Sequence, residues 1–353
     1  MVAVAMVCRS QGTFRPGQLW PDNNGRHINA HGGGVMYHDG TYYWYGEHKS
    51  DTTSSAYVGV TCYSSKNLVD WTDRGVALAV TDEKGCDIER GCILERPKVI
   101  YCKKTGKFVM WFHLELKGKG YRAARYAVAV SDTPCGPFRY LRSGRVLPKT
   151  YAQGFDTSLA DGLKTSLDKK MEWWTPEWHD AVAGGMFTAR DLAGGQMARD
   201  QTVYVDPDNG RAYHIYSSEE NLTLQIAELD STYERHTGRY IRIFPGGHNE
   251  APAVFKRGGK YYVLTSGCSG WDPNSAQIAV ADSIMGEWTV LGDPCRGADA
   301  EKTFYAQSTY VQPVAGADDL YLAMFDRWNK TDLQDSRYVW LPIVWGDDDT
   351  PTI

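Results

Sequence analysis

One short phrase returns five times along this chain of 353 residues. Each copy places an ionisable or amide side chain four residues ahead of an apolar or aromatic residue in a strand-like run. A fixed offset from a repeated strand indicates a fixed place in a repeated structural unit. We call the first residue of each copy a head residue and the residue four positions later a centre residue. The head residues are His31, Glu95, Asp200, Glu250 and Gln307, and the centre residues are Val35, Val99, Tyr204, Val254 and Val311.

Each copy begins a unit that reads as two successive hairpins. In the first unit, an Asp39-Gly40 turn separates two runs rich in Tyr and Val, and later units have Gly- or Asn-containing turns at the matching place. A second pair of strands follows in each unit, so that four short strands recur about every 50–60 residues. This rhythm predicts an all-β fold, a five-bladed β-propeller that forms one domain over residues 20–345.

The segment 148–197 does not fit the rhythm of the units. It contains a helix-like stretch at 159–171 and a cluster of Trp173, Trp174 and Trp178. Long insertions in compact folds usually decorate or cover a site. We therefore predict an inserted segment between blades two and three that forms a lid or rim, with a distant surface embellishment or an oligomer contact as the alternative.

Composition limits the classes of partner. The formal net charge is −5 and no basic patch stands out, which argues against nucleic acid as a partner. No run of 18 apolar residues exists, so no membrane span is expected. The 12 Trp and 22 Tyr residues suit both β-structure and sugar-stacking surfaces. The oligomeric state does not follow from the sequence.

The eight cysteines show no spacing typical of a metal site, and we predict no metal and no cofactor. Cys86 and Cys92 could pair in an oxidising compartment, or they could be free thiols. The apolar start at 1–7 is too short for a signal peptide and lacks a basic region. We expect a secreted or periplasmic protein whose leader is absent from this sequence, with a cytoplasmic location left open.

Three of the head residues are carboxylates. In a propeller the innermost strand of each blade runs along the central channel, so Glu95, Asp200 and Glu250 should face one another across a shallow pocket. Neighbouring negative charge raises the pKa of at least one of them, and the retained proton can be given to a leaving oxygen. The alternative is that nearby Arg96 and Arg199 simply neutralise these carboxylates.

The surroundings of this predicted pocket suit a sugar. Trp271 follows the second strand of the fourth unit, where its indole can stack on the C–H face of a pyranose. Polar or aromatic residues near strand ends could bond sugar hydroxyls. These candidate substrate-binding residues are Glu47, Tyr121, Asn221, Asn274 and His31.

The repeated motifs resemble those of glycoside hydrolase family 43, and in particular its exo-β-1,3-galactanases. The stretches that carry the resemblance are 28–37, 43–47, 95–101, 198–206, 250–255, 267–274 and 307–311. The resemblance implies a five-bladed propeller that hydrolyses glycosidic bonds with inversion at the anomeric carbon. It covers nearly the whole chain, apart from 148–197.

The resemblance also implies roles for individual residues. The family's usual trio is an Asp base on blade one, an Asp on blade three that tunes the pKa of the acid, and a Glu acid on blade four. By position, Glu250 is the acid and Asp200 is the tuning carboxylate. The Asp of blade one is missing here, because that stretch offers His27, Asn29 and His31.

The galactanase branch shares this loss, and there a glutamine on blade five has been assigned the role of the base. Gln307 is the matching residue in this chain. Because an amide is a very poor base, we expect Gln307 to position the water. Glu95 then binds substrate hydroxyls or joins the tuning network, although chemically it is the easier base.

These patterns favour an inverting exo-glycoside hydrolase that releases galactose from β-1,3-galactan, the backbone of arabinogalactan. The expected partner is therefore a polysaccharide or oligosaccharide. One alternative keeps the enzyme class and changes the sugar, giving a β-galactofuranosidase or an α-L-arabinofuranosidase. A second alternative, suggested by the missing base, is a galactan-binding propeller without turnover.

Overall fold

The computed structural model describes residues 13–160, 162–163, 171–347 and 349–353. The regular secondary structure of the chain consists mainly of short antiparallel strands. The strands are β1 His31–His38, β2 Thr41–Glu47, β3 Gly59–Ser65, β4 Thr72–Ala79, β5 Ile93–Cys102, β6 Lys107–Glu115, β7 Arg125–Ser131, β8 Arg139–Gly144, β9 Gln201–Val205, β10 Ala212–Ser218, β11 Thr223–Leu229, β12 His236–Ile243, β13 Asn249–Arg257, β14 Lys260–Gly267, β15 Ala276–Ala281, β16 Thr289–Gly292, β17 Gln307–Pro313, β18 Tyr321–Arg327, β19 Arg337–Pro342, β20 Val344–Trp345 and β21 Pro351–Thr352.

Strands β1 to β19 form five sheets in chain order, which confirms the five-bladed propeller. Blades one to four are the four-stranded sheets β1–β4, β5–β8, β9–β12 and β13–β16. Blade five differs from the predicted four strands, because among the described residues its sheet consists of β17, β18 and β19. The run at 337–345 divides after Pro342, and β20 pairs with β21 in a separate two-stranded sheet.

The head residues lie where the inner strands begin. In blades one, two and four, the pairing of the inner strand with its neighbour shifts register directly after the head residue. In each case the backbone of the residue after the head residue is in the left-handed region, with φ of 58° at Gly32, 54° at Arg96 and 53° at Ala251. A bulge of this kind re-aims a side chain at the end of a strand.

An aromatic cluster joins the last blade to the first. Trp44 of β2 packs against Tyr338 and Trp340 of β19, with ring centroids 4.6 and 4.7 Å apart. The hydroxyl of Tyr338 donates to the carbonyl oxygen of Ile28 at 2.8 Å, just before β1. Burial of these large rings therefore closes the propeller, since it covers what would otherwise be exposed blade edges.

Between β8 and β9, the described residues include two short helices with defined ends. They are α1 Pro176–Ala183 and α2 Met186–Asp191. Thr175 caps α1 by accepting a hydrogen bond from the Trp178 amide, and Pro176 occupies the first turn, where no amide partner is needed. Most of the helix-like stretch predicted at 159–171 lies outside the described residues. Short 3₁₀ segments occur at Gly120–Arg122, Thr157–Leu159, Ala300–Tyr305 and Leu333–Asp335.

The helices pack on blade three through a small apolar cluster. Trp178, Val182, Met186 and Phe187 are buried there together with Leu222 of the β10–β11 loop. Trp173 and Trp174, in contrast, are about half exposed.

Two further sequence expectations concern cysteines and membranes. Cys86 and Cys92 are both free thiols in the structure, which agrees with the second of the two alternatives. Among the described residues, no helix has the length and apolar character needed to span a membrane.

Candidate active site

A pocket of about 300 Å³ lies at the end of the channel where the inner strands begin. Four of the five head residues line it, which confirms that the repeat brings distant side chains together. The lining residues are Glu47, Lys49, Ser54, Glu95, Arg96, Tyr121, Arg199, Asp200, Asn221, Glu250, Gly270, Trp271, Gln307 and Trp328.

Glu250, the second residue of β13, is the carboxyl group in this pocket that is poised to hold a proton. Its Oε1 accepts hydrogen bonds from Asn221 Nδ2 at 2.7 Å and from the Cys268 thiol at 3.0 Å. Burial, followed by the negative charge of Asp200, raises the pKa of Glu250 to about 7. A carboxyl group with this pKa can give up a proton near neutral pH.

Asp200 lies directly before β9 and contacts two neighbouring blades. Its Oδ2 lies 3.0 Å from Arg96 Nη2 of blade two and accepts a hydrogen bond from the Ala251 amide at 3.1 Å. The second contact fixes Asp200 against the residue that follows Glu250. The two carboxyl groups therefore belong to one connected unit.

Arg96 connects most of the pocket, which goes beyond the neutralising role considered from the sequence. Besides Asp200, its guanidinium donates to Gln307 Oε1 at 2.5 Å and to the Ser308 carbonyl at 3.1 Å. Its left-handed backbone turns the amide toward Glu47 Oε1, at 2.9 Å. Arg199 pairs with Glu220, at 3.0 Å, instead of with a head residue.

Glu95 is held in its ionised form. Its Oε1 accepts from the Tyr121 hydroxyl at 2.8 Å, and its Oε2 lies 3.2 Å from His113 Nδ1. Burial opposes ionisation, but the hydrogen bond with His113 and the charge of Lys49 outweigh it and lower the pKa of Glu95 to about 2. At neutral pH, Glu95 can therefore accept hydrogen bonds but has no proton to give.

Glu95, His113 and Asp200 bring possible metal ligands within 4.8 Å of one another. Burial lowers the pKa of His113, but hydrogen bonds with Glu115 and Glu95 outweigh this and raise it to about 9. A protonated imidazole cannot ligate a metal and itself supplies the positive charge.

Gln307, the first residue of β17, is fixed by three hydrogen bonds. Its Oε1 accepts from Arg96 and from the Trp328 indole at 3.0 Å, and its Nε2 donates to Ser266 Oγ at 3.0 Å. Because the oxygen already accepts from a cation and an indole, its basicity is reduced. One N–H of the amide is left for a water or a ligand.

Glu47 and Lys49 complete the charged floor. Glu47, at the end of β2, lies 2.5 Å from Lys49 Nζ, and both side chains are almost fully buried. Burial raises the pKa of Glu47, while Lys49 counteracts this effect. Glu47 was predicted from the sequence, whereas Lys49 was missed because a single loop lysine has no distinguishing pattern.

Two indoles form the aromatic wall. Trp271 is 39% exposed, and its ring is T-shaped to that of Trp328 with centroids 5.5 Å apart. Trp328 was not predicted from the sequence. It directly follows the second strand of blade five, and Trp271 follows the second strand of blade four. Comparison of equivalent positions in the two units could have found it.

Two of the predicted substrate-binding residues, His31 and Asn274, do not line this pocket, although Asn274 lines a smaller cavity beside it that shares Trp271. His31 is 0% exposed, stacks on Tyr338 and lies 3.5 Å from Asp326, so it packs blade one against blade five. Asn274 exchanges two hydrogen bonds with the backbone of Gly267, which shapes the loop that carries Trp271.

Several solved structures are similar to this chain. A β-1,3-galactosidase of family GH43, solved with galactodeoxynojirimycin, is 56% identical over 96% of this chain and 98% of its own, with a TM-score of 0.93. An exo-β-1,3-galactanase from Clostridium thermocellum is 35% identical, with a TM-score of 0.76. An exo-β-1,3-galactanase from Phanerochaete chrysosporium, solved with galactose, is 30% identical, with a TM-score of 0.75.

Coverage differs among these relatives. The two exo-β-1,3-galactanases each match 96% of this chain, but the match spans only 64% and 66% of their own lengths. No family model and no curated protein matches the chain.

Proposed function

This chain belongs to glycoside hydrolase family 43, and on that premise we propose that it is an inverting exo-β-1,3-galactanase that releases galactose from β-1,3-galactan. The proposal rests on the contrast between Glu250 and its neighbours in the pocket. The pKa of Glu250 is raised to about 7, whereas Asp200 is paired with Arg96 and Glu95 is kept ionised by His113 and Lys49. Glycosidic cleavage needs one carboxyl group that is protonated and can act as an acid, beside others that are ionised.

In the proposed reaction, Glu250 gives its proton to the glycosidic oxygen as the bond from that oxygen to C1 breaks. Asp200 keeps the proton on Glu250 before the reaction through its negative charge. Asn221 and Cys268 aim the carboxyl group through their hydrogen bonds to Oε1. A water attacks C1 from the opposite face, so galactose leaves as the α-anomer.

Gln307 holds this water. Its free N–H binds the water oxygen, while Arg96, Trp328 and Ser266 fix the plane of the amide. The proton acceptor is either Gln307 as its imidic tautomer or the ionised Glu95. In this proposal Glu95 binds sugar hydroxyls, a role that suits a carboxylate of low pKa surrounded by hydrogen-bond donors.

The size and walls of the pocket suit one terminal sugar. A pocket of about 300 Å³ lies at the lower end of the range for small-ligand sites. Trp271 and Trp328 offer an apolar wall for the C–H face of galactose, and Glu47 and Glu95 offer acceptors for its hydroxyls. A pocket of this kind favours release of single units from a chain end.

We also propose that residues 20–345 form one catalytic domain and that 148–197 is an insertion at its rim. The ring of Trp174 packs 5.4 Å from His248, two residues before Glu250. The half-exposed indole of Trp174 therefore lies next to the start of β13, the strand that carries Glu250.

The test is incubation of the protein with β-1,3-galactobiose, with the products followed by proton NMR. We expect galactose that appears first as the α-anomer. Cleavage of p-nitrophenyl galactofuranoside or arabinofuranoside, but not of galactobiose, would change the assigned sugar. Binding of galactan oligosaccharides without any product would refute the assignment as an enzyme.

A further inference from the structure

The loop at 219–222, which connects β10 to β11, has an unusual backbone. Glu219, Glu220 and Asn221 have φ of 54°, 59° and 65°, so three consecutive residues other than glycine are left-handed. Such a conformation persists only where the surrounding structure enforces it. This loop carries Asn221, whose Nδ2 donates to Glu250 Oε1 at 2.7 Å.

Helix α2 of the inserted segment holds the first two residues of this loop. Thr188 Oγ1 donates to Glu219 Oε1 at 2.9 Å, and both side chains are 0% exposed. Arg190 Nη1 lies 2.9 Å from Glu220 Oε1. The loop is thus fixed at two successive side chains by one turn of helix.

The other side of the loop is fixed by Arg242 of β12. Its guanidinium binds both carboxylate oxygens of Glu219, at 2.6 and 2.8 Å. It also donates to the carbonyl oxygens of Val182 and Ala183, at the end of α1, at 2.7 and 3.0 Å. One arginine therefore connects blade three, the loop and the inserted segment.

The last residue of the loop is anchored by apolar packing. Leu222 is fully buried among Trp178, Val182, Met186 and Phe187 of the inserted segment. Polar contacts at Glu219 and Glu220 and this apolar contact at Leu222 flank Asn221 on both sides. Asn221 is the member of the loop that is turned to the pocket.

We propose that the 148–197 segment is a buttress for the catalytic acid, and that Thr188 and Arg190 are positioning residues that act on Glu250 through Asn221. This inference rests on the role proposed above for Glu250. It gives the segment a function in the reaction itself, beyond that of a rim.

The path through Asn221 follows from what faces the acid. The groups with the largest effect on the pKa of Glu250 are Asp200, Cys268, Arg96 and Glu95, and none of these four belongs to the inserted segment. The contacts that connect α2 with Glu250 run through the loop at 219–222. A hydrogen bond donated to a carboxylate stabilises its ionised form, so a misplaced Asn221 amide raises the pKa of the acid.

A double-mutant cycle on β-1,3-galactobiose tests this path. We expect Asn221→Ala to lower kcat/KM about 30-fold and Thr188→Val about fivefold, with no further loss when Thr188→Val is added to Asn221→Ala. Both single variants should move the alkaline limb of the pH profile upward. Thr188→Ser, which keeps the hydroxyl, should restore most of the activity.

Arg190→Gln is the second variant, and Arg257→Gln is the matched control. Arg257 forms exposed ion pairs with Asp319 and Asp349, seven residues beyond Glu250 on the same strand. We expect hydrogen–deuterium exchange at 219–222 to speed up in Thr188→Val and Arg190→Gln but not in the control. This measurement does not require turnover.

The outcomes separate the two proposals. Wild-type activity in Thr188→Val, a full fivefold loss on top of Asn221→Ala, or unchanged exchange at 219–222 would each overturn the buttress. A wild-type protein that releases no galactose would overturn the proposed function, and the exchange experiment would then decide whether the segment fixes the loop.

Discussion

The two ends of the central channel are built from the same five strands but differ in chemistry. At one end, the head residues Glu95, Asp200, Glu250 and Gln307 line the pocket together with Arg96. At the other end, all five centre residues line a cavity of about 380 Å³ whose walls are largely Val, Tyr and Pro. Four residues of strand, about 13 Å, separate the two layers.

The repeat therefore determines where the side chains lie along the channel. The type of residue at the head position of each unit determines the chemistry of the pocket. Between the layers lies Lys98, a buried residue whose Nζ donates to the Gly32 carbonyl at 2.9 Å. Burial, then the charge of Arg96, lowers the pKa of Lys98 to about 7. Burial and the charge of Arg96 therefore both oppose a positive charge on Lys98.

The largest effect should come from removing the proton of the acid. We expect Glu250→Gln to lower kcat on β-1,3-galactobiose about 10³-fold, because the amide keeps the shape of the side chain and cannot donate an acidic proton. Arg257→Gln, near the far end of the same strand, should stay within twofold of wild type. Equal losses in both variants would mean that the two ends do not differ in function.

The second test concerns the water. We expect Gln307→Ala and Glu95→Ala each to lose about 10²-fold in kcat/KM. Azide should restore turnover in Gln307→Ala, with α-galactosyl azide as the product, because it replaces the water that Gln307 holds. Rescue of Glu95→Ala instead, detected by mass spectrometry, would assign the base to Glu95.

Much of this layout could be predicted from the sequence because the signals are local. Hairpin turns and alternating runs reveal the blades, and the fixed offset identifies Glu95, Asp200, Glu250 and Gln307 as one layer. His31 carries the same signal, yet it is buried against Asp326 and Tyr338. That outcome depends on packing between the first and last blades, which no local pattern encodes.

Other parts of the site depend on contacts distant in sequence. Arg96 of blade two reaches Asp200 of blade three and Gln307 of blade five only after the blades assemble. In the part of the chain that the structure describes, blade five has three strands, and the chain after Pro342 pairs with β21. The path from α2 to the acid likewise exists only in the folded chain.

A third, smaller effect concerns the charge of Asp200. In the wild type, activity should fall as the pH rises through about 7, because Glu250 must be protonated to act. The negative charge of Asp200 helps to raise that pKa, so Asp200→Asn should move the alkaline limb to lower pH. We expect a loss of about 30-fold in kcat/KM at pH 7.

A pH profile of kcat/KM for both proteins is the measurement. An alkaline limb that stays in place in Asp200→Asn would show that the charge of Asp200 does not reach the acid.

A fourth effect should be modest and opposite in sign. Cys268 donates its thiol proton to Glu250, and this bond lowers the pKa of the acid. Cys268→Ala should therefore move the alkaline limb to higher pH, with kcat/KM at pH 6 about threefold below wild type. Cys268→Ser keeps a donor and should leave the limb near its wild-type position; a shift equal to that of the alanine variant would contradict this reading.

The smallest effect is expected in the apolar layer. Tyr204 is the one centre residue with a polar atom in its side chain, and among the described residues its hydroxyl finds no hydrogen-bond partner. Tyr204→Phe removes a buried group that contributes no bond, so kcat/KM should stay within about twofold and Tm should rise by about 1 °C or remain unchanged. Glu250 retains all its partners in this variant. A loss of activity comparable to that of Asp200→Asn, with Tm unchanged, would show that the centre layer takes part in the reaction and that the two ends of the channel are not independent.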